Sequence, residues 1–221
     1  MRERLTPQTE DCLKAIYSLS QQSRANTLEI AGVLGISGAS VTAMLKRLAE
    51  LKLIDYLPYQ GATLTASGQQ IALEIVRHHR LLETYLHQAL GIPLESLHAE
   101  ADRLEHHISE ELEARMFAVL GEPTHDPHGD PIPSLTGALP TKATRPLADV
   151  LAGEVVRVGR VAGHDPMLLK HLSGLGIIPG AKLEMCDLHL LSGVVDILLA
   201  TGRITIGLEV ARQIWVEALT D

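Results

Sequence analysis

The sequence predicts a mainly α-helical protein with small β components: a winged helix-turn-helix, a helical domain and a small C-terminal β-barrel of the Src-homology-3 type. Two short helical segments separated by a glycine and followed by a hairpin pattern predict the winged helix. Longer segments in which apolar residues recur with a period of about 3.6 residues predict the helical domain. Short β-branched segments separated by glycine predict the barrel. These patterns place the domains at residues 1–65, 66–140 and 141–221.

The composition is that of an ordinary globular protein, because 46% of the 221 residues are apolar. No apolar run reaches the roughly 20 residues that a membrane span needs, and the N-terminus lacks the apolar region of a signal peptide. We therefore expect a cytoplasmic protein with no membrane partner. Cys12 and Cys186 are far apart in sequence and form no CxxC motif, which argues against a disulfide framework and a zinc ribbon.

The formal net charge of −8 is unevenly distributed along the chain. Residues 1–65 hold seven Lys and Arg against six Asp and Glu, whereas the rest of the chain holds twelve against twenty-one. The acidity therefore lies outside the segment that we assign to DNA, and bound divalent cations would reduce it.

The N-terminal segment carries the signals of a helix-turn-helix. Thr6 followed by proline predicts the start of a helix that runs to about Ser20. A short helix after Thr27, closed by Gly35, precedes a second helix of about 14 residues that follows Ser37. A hairpin at 54–65, with its turn at Gln60-Gly61, then completes a winged helix.

The second helix of this motif presents small and basic residues on its outward face, while its apolar residues face the core. Small side chains let the backbone approach base edges, and lysine and arginine reach phosphates. A plain helical hairpin without DNA contacts is the alternative. The candidate DNA-contacting residues are Thr27, Ser37, Ala39, Ser40, Thr42, Ala43, Lys46 and Arg47.

Four potential metal ligands occur between residues 98 and 106. At about 100° per residue, a single helix through this stretch would place all four on one side, next to an apolar stripe. A solvated helix face that carries these side chains by chance is the alternative interpretation. The four residues are His98, Asp102, Glu105 and His106.

A second predicted helix, residues 66–89, carries His79 and Glu83 inside its apolar stripe. Because an unpaired buried carboxylate costs several kcal/mol, Glu83 needs a partner or a metal ion. A hydrogen-bonded His-Glu pair in the core satisfies that need, and so does a bound cation. With His98 and its neighbours available, a cation is the better interpretation.

After residue 120 the chain has a proline-rich segment followed by a region of short strand patterns. Residues 121–146 hold six of the eleven prolines and predict a linker or an extended strap, in which we expect His125 and His128 to be solvated. From about Leu147 the strand patterns at 154–161, 182–188, 194–199 and 213–218, with one helix at 166–174, predict the small barrel.

Several motifs together resemble the diphtheria toxin repressor family of metal-dependent transcriptional regulators, and within it the manganese transport regulator branch. The last 75 residues resemble the ferrous-iron-transport A-type barrel. The motifs that carry these resemblances are TEDCLKAIY at 9–17, SGASVT at 37–42, HRLLE at 79–83, EHHIS at 105–109 and GDPIP at 129–133, with DPMLLK at 165–170 and LGIIPGA at 175–181 in the barrel.

The resemblance implies a homodimer that binds double-stranded operator DNA and holds two ions per subunit. It assigns Asp11, Asp102, Glu105 and His106 to a regulatory site, and His79, Glu83 and His98 to an ancillary site. Some members of the family add two ligands from the barrel. The matching positions here are Asp165 and Leu168, and Leu168 cannot bind a metal.

Two departures from the iron-type pattern bear on the metal. Iron-type members have Met and Cys where this chain has Asp11 and Asp102, and replacing sulfur by carboxylate oxygen favours Mn2+. The manganese branch usually has a further carboxylate where this chain has Lys14. We therefore predict a DNA-binding repressor with Mn2+ as corepressor and Fe2+ as the alternative ion.

Two other classes of protein compete with this prediction. A metal-dependent hydrolase requires an open coordination position and a general base, and the sequence has no HExxH or comparable motif. We therefore predict that the protein is not an enzyme. A winged-helix sensor of a small organic ligand would leave His79 and Glu83 without a role. Metal dependence of DNA binding distinguishes the three.

Overall fold

A computed structural model of the chain describes residues 5–20, 23–141, 143–162 and 165–219. The chain divides into two compact units, and each consists of segments that are separate in sequence. The first unit comprises Met1–His79, Leu104–Ser109 and Pro133–Leu139; the second comprises Arg80–Arg103, Glu110–Ile132 and Pro140–Asp221.

The first unit begins with a helix-turn-helix and a wing, as predicted. Helix α2 is capped by Asn26, whose side chain accepts hydrogen bonds from the backbone of Leu28 and Glu29, and it ends at Gly35 in the left-handed conformation. The two strands of the wing pair antiparallel. The elements are α1 (Pro7–Leu19), α2 (Thr27–Leu34), α3 (Gly38–Glu50), β1 (Ile54–Leu57), β2 (Gly61–Leu64) and the start of α4 (Ala66–Leu90).

One apolar core connects these elements. Leu13 and Ile16 of α1 belong to the same buried cluster as Leu45 and Leu48 of α3 and Ile75 of α4. Because these side chains are buried at helical spacing, each helix presents a single apolar face to the others. Helix α1 is therefore tied by packing to the outward-facing helix α3.

The second unit contains the small β structure at the C-terminus. Its six strands form one antiparallel sheet in the order β3-β8-β4-β5-β6-β7, which confirms the predicted fold class of a small Src-homology-3-like domain. The elements are α5 (Leu94–Leu104), α6 (Glu110–Val119), β3 (Thr144–Pro146), a short 3-10 helix (Leu147–Asp149), β4 (Val155–Val161), α7 (Pro166–Leu175), β5 (Lys182–His189), β6 (Val194–Leu199), β7 (Gly202–Gly207), α8 (Leu208–Ala211) and β8 (Ile214–Ala218).

Strands β3 and β7 and helix α8 are among the elements that were not predicted. Strand β3 and helix α8 have three and four residues, too few for a periodic pattern to emerge. Strand β7 begins and ends with glycine, and only Ile206 among its six residues is buried. It is recognisable mainly through its pairing with β6, which is a tertiary feature.

The single helix predicted through residues 98–106 is wrong. Helix α5 ends at Leu104, residues 105–107 form a turn, and α6 begins at Glu110. Leu97 and Ala101 on α5 are buried, whereas Leu104 and Leu112 are exposed, so the apolar stripe does not continue past Ala101 to these positions. Glu105 and His106 therefore lie in a turn, where their direction is set by the turn geometry and not by helical periodicity.

No single helix among the described residues is long and apolar enough to cross a membrane. Helices α2 and α3, which are bent by 108° with respect to each other, meet that test only as a pair and only by length and composition.

We predict that Gly68→Ala destabilises the protein. A Cβ at Gly68 would lie 1.9 Å from the carbonyl oxygen of Leu53, so the start of α4 must move away from the Leu53 backbone. We expect the free energy of unfolding in urea to fall by about 1–3 kcal/mol. The matched control is Gly32→Ala in α2, where a Cβ meets nothing within 4 Å. Equal stability of the two variants would contradict the prediction.

Candidate metal centre

The candidate centre in the first unit begins on helix α1. Thr6 and Pro7 start this helix, and Cys12, Leu13 and Ile16 point into the core. Helical spacing then places Glu10, Asp11 and Lys14 at the border of the buried face. Glu10 is buried, whereas Asp11 and Lys14 are partly exposed. Helix α1 thus presents two carboxylates and one ammonium at the edge of the helix-turn-helix core.

The turn after α5 supplies the other half of the centre. Glu105 has no exposed surface, and its backbone carbonyl oxygen lies 3.2 Å from Nδ1 of His78 on α4. The backbone N–H of His107 donates to the carbonyl of Leu104, which closes the turn. This conformation directs the side chains of Glu105 and His106 towards helix α1.

His106 contacts two carboxylates of α1. Its Nε2 lies 2.9 Å from Oδ1 of Asp11, and its Nδ1 lies 2.7 Å from Oε2 of Glu10. Burial opposes the charged imidazolium, but the hydrogen bonds to Asp11 and Glu10 outweigh it and raise the pKa of His106 to about 9. Without a metal ion, the ring is therefore protonated at neutral pH and donates to both carboxylates.

The carboxylate of Glu105 lies among nitrogen atoms. Nζ of Lys14 lies 3.0 Å from its Oε1 and 2.8 Å from its Oε2, and Nδ1 of His79 lies 2.5 Å from Oε2. Nε2 of His106 lies 3.6 Å from Oε1. Burying a carboxylate removes it from water at a cost in free energy, and these contacts offset that cost.

Asp11, Glu105 and His106 fit a divalent metal ion. Each offers one ligand atom, and these atoms lie within 4.8 Å of one another. Two carboxylate oxygens and one imidazole nitrogen are a donor set that suits Mn2+ and Fe2+. The second nitrogen of His106 contacts Glu10, which is the usual arrangement of a metal-ligating histidine oriented by a carboxylate.

Glu10 is the functional candidate that the sequence analysis missed. It lies next to Asp11, and a carboxylate that is buried beside a predicted ligand is a candidate for orienting a histidine ligand. Its burial depends on packing around α1, which sequence periodicity alone did not reveal.

In the second unit, Glu83 and His98 lie together. Glu83 is 1% exposed, and its Oε1 lies 3.5 Å from Nδ1 of His98. Nε2 of His98 lies 3.4 Å from Oδ2 of Asp102, one helical turn further along α5. The predicted burial of Glu83 is confirmed, and His98 is one of its histidine partners in this unit.

The expectation that His128 is a solvated loop residue is wrong. His128 is 2% exposed, its Nε2 lies 3.2 Å from the carbonyl oxygen of Leu94, and its Nδ1 lies 3.6 Å from Oε2 of Glu83. Burial opposes its charge, but the interaction with Glu83 outweighs this and raises the pKa of His128 to about 9. The side chain of Asp126 holds the loop in this conformation by accepting the backbone N–H groups of His128 and Asp130.

Asp165, the ligand expected from the barrel, caps helix α7. Its Oδ1 accepts the backbone N–H of Met167 at 2.9 Å. This contact uses one carboxylate oxygen for helix capping.

The candidate DNA-contacting residues lie around α3. Ala39, Ser40, Ala43, Lys46 and Arg47 are exposed, whereas Thr27 and Thr42 are partly buried. Three hydroxyl groups also have structural roles: Ser37 caps α3 and contacts Ser40, and Thr42 donates to the carbonyl oxygen of Gly38 at 2.8 Å.

A winged helix-turn-helix together with carboxylate and histidine ligand groups defines the class of metal-dependent DNA-binding regulators. Sequence models of three domains match this chain. They are the iron dependent repressor N-terminal DNA binding domain at residues 4–62, the iron dependent repressor metal binding and dimerisation domain at 65–134, and the FeoA domain at 145–218.

Individual relatives agree with these matches. The chain is 32% identical to the iron-dependent repressor IdeR of Mycobacterium leprae over 96% of this chain and 98% of that protein. It is 37% identical to the transcriptional regulator MntR of Escherichia coli O6:H1 over 46% of this chain and 66% of that protein. The chain therefore belongs to the iron-dependent repressor family of metal-dependent transcriptional regulators.

Solved structures extend the comparison to the fold. A manganese-dependent transcriptional repressor in complex with manganese superimposes with a TM-score of 0.88 at 36% identity, covering 96% of this chain and all of that one. The IdeR of T. acidophilum gives a TM-score of 0.77 at 28% identity, covering 95% of this chain and 97% of that one. These relatives are transcriptional repressors, which favours a regulator over the hydrolase alternative.

We predict that Glu10→Gln weakens Mn2+ binding by about 10- to 100-fold, because the carboxylate that orients His106 loses its charge. Titration calorimetry measures the affinity. The control is Glu111→Gln, an exposed residue that pairs only with Arg115 among the hydrogen-bond partners found in the described residues. An affinity equal to that of the control would show that Glu10 has no part in the centre.

Proposed function

We propose that this protein is a repressor that binds operator DNA as a homodimer, with Mn2+ as its corepressor. The observation that carries the proposal is the convergence of Asp11, Glu105 and His106 at one edge of the helix-turn-helix core. Such a position makes the ligands part of the DNA-binding unit itself. Binding or loss of an ion then acts directly on helix α1, which supplies Asp11.

The donor atoms support manganese over iron. Asp11 and Glu105 offer hard carboxylate oxygens, and His106 offers an imidazole nitrogen. Without sulfur in the set, softer and later transition metals lose their preferred ligands. Mn2+ is therefore the proposed ion, Fe2+ is the alternative, and we propose two ions per subunit.

The link from the ligands to DNA passes through helix α1. A bound divalent ion supplies positive charge between carboxylates that otherwise repel one another. Asp11 and the turn at residues 105–107 then stay together and hold α1 in place. Because Leu13 and Ile16 pack in the same core as Leu45 and Leu48, a fixed α1 restricts the position of α3.

Helix α3 is the proposed DNA-reading element. Lys46 and Arg47 are exposed for phosphate contacts, and Ala39 and Ala43 let the backbone approach base edges. The proposed DNA contacts also include residues at the start of α2 and in the first turns of α3, namely Thr27, Ser37, Ser40 and Thr42.

The homodimer is supported by apolar side chains that remain exposed in the second unit. Leu90 at the end of α4 is 62% exposed, and Leu112 and Val119 on α6 are 46% and 77% exposed. Exposed apolar residues within a region that matches a dimerisation domain suit an interface between subunits. Two copies would present two α3 helices to successive half-sites.

The remaining assignments complete the proposal. The domains are proposed at residues 1–65 for DNA binding, 66–140 for metal binding and dimerisation, and 141–221 for the barrel. Glu83 and His98 are proposed ligands of an ancillary ion. The assignments of Asp102 to the regulatory ligands and of His79 and Asp165 to the ancillary ligands stay predictions.

We predict that specific DNA binding requires Mn2+. Fragment selection with Mn2+ should yield an operator, and gel shifts on that operator should disappear when a chelator is added. Asp11→Ala should weaken operator binding in Mn2+ by roughly 5- to 150-fold, because it removes the coupling between Mn2+ binding and DNA binding. The control is Asp187→Ala, an exposed residue on β5. Equal operator affinity with and without Mn2+ would exclude the corepressor role.

We predict that Asp11→Met combined with Asp102→Cys shifts the response from Mn2+ towards Fe2+ and later transition metals, because sulfur replaces oxygen. The measurement is the concentration of each ion that gives half-maximal operator binding. The single variant Asp11→Met, measured in the same way, separates the effect of position 11 from that of position 102. An unchanged order of ions in the double variant would show that these side chains do not determine selectivity.

A further inference from the structure

Lys14 places an ammonium group among the ligand atoms of the first unit. Its Nζ lies 2.8 Å and 3.0 Å from the two oxygens of Glu105, and 3.1 Å from Nδ1 of His79. Lys14 follows Asp11 by three residues on α1, so the two side chains emerge on the same side of the helix. Three potential ligand atoms are thus already in contact with a cation that belongs to the chain.

We infer that Lys14 is a built-in cation that takes the position of a second metal ion, so that the first-unit centre accepts a single divalent ion. The inference rests on the proposed function, because it assigns the number of ions to the proposed centre. Without metal, the same ammonium contacts both oxygens of Glu105 and holds its side chain in place.

The charges of the centre support this inference. Glu10, Asp11 and Glu105 contribute three negative charges and Lys14 one positive charge, which leaves a net charge of −2 when the histidines are neutral. One divalent ion balances that charge. A second divalent ion close to the first and to the ammonium would add uncompensated repulsion in a partly buried site.

The geometry supports it as well. Glu105 uses Oε2 for its shortest contacts with Lys14 and His79, whereas Oε1 is the oxygen nearer to Nε2 of His106. Lysine has only donors, so its hydrogens match the two acceptor oxygens of Glu105. The side chain of Lys14 is 23% exposed and that of Glu105 is fully buried, so water screens this pair only in part.

The test of ion number compares Mn2+ stoichiometry, measured by equilibrium dialysis with metal analysis, in wild type, Lys14→Glu and Lys14→Arg. Lys14→Glu changes the net charge of the centre to −4 and adds a ligand, so it should bind one more Mn2+ per chain than the wild type. Lys14→Arg keeps the positive charge and should bind the wild-type number. Equal stoichiometry in wild type and Lys14→Glu would overturn the inference.

The same dialysis separates this inference from the proposed function. Asp11→Ala should bind one Mn2+ fewer than the wild type. If Asp11→Ala binds the wild-type number, the proposed centre is wrong. If Asp11→Ala loses an ion but Lys14→Glu gains none, the proposed centre stands and the role of Lys14 is wrong.

A second measurement does not depend on the folding of Lys14→Glu. In metal-free protein, Lys14→Met should lower the thermal midpoint by roughly 5–15 °C, because it leaves Glu105 buried without its ammonium partner. Mn2+ should then raise the midpoint more in Lys14→Met than in the wild type. The control is Lys170→Met at an exposed position of α7. A Lys14→Met midpoint and Mn2+ response equal to those of the control would overturn the inference.

Discussion

The buried carboxylate of Glu105 is the constraint on which the candidate centre depends. It has no exposed surface, and an ionised carboxylate in such a place is stable only with positive charge or hydrogen-bond donors around it. Lys14 comes from α1, His79 from α4, and His106 from the same turn as Glu105. One carboxylate therefore holds together three stretches of chain that are far apart in sequence, and any change in the surrounding positive charge acts on all three.

Helix α1 contributes both to the apolar core and to the candidate centre. Its buried side carries Leu13 and Ile16, which pack in the core that also holds α3. Its border carries Glu10 and Asp11, both of which contact His106. Because a packed core moves as a unit and does not deform continuously, a change in charge at the border becomes a change in the position or mobility of the whole helix. In the proposed function, this is a short physical route from the metal ligands to helix α3.

The helix-turn-helix and wing were predictable because their signals are local, such as Gly35 at the end of α2. The centre was predictable in residue type but not in conformation. Helical periodicity was extended past Leu104 although Ser109, followed by acidic residues, signals the start of a new helix. His128 was missed because its burial depends on the loop that Asp126 closes and on contacts with distant residues, neither of which leaves a periodic pattern.

The choice of ion and the number of ions bound depend on different properties of the candidate centre. In the proposed centre, selectivity among ions follows from the softness of the donor atoms, which are two carboxylate oxygens and one imidazole nitrogen from Asp11, Glu105 and His106. The number of ions follows from the balance of charge, which a single residue changes by two units when lysine replaces a carboxylate. A chain can therefore keep a manganese-type donor set while losing an ion position, and a comparison of ligand residues alone would not detect the difference. In our proposal, the contact between Lys14 and Glu105 makes that choice, because the ammonium takes the place of a second ion beside Oε2, whereas Oε1, on the side of His106, remains available to the first ion.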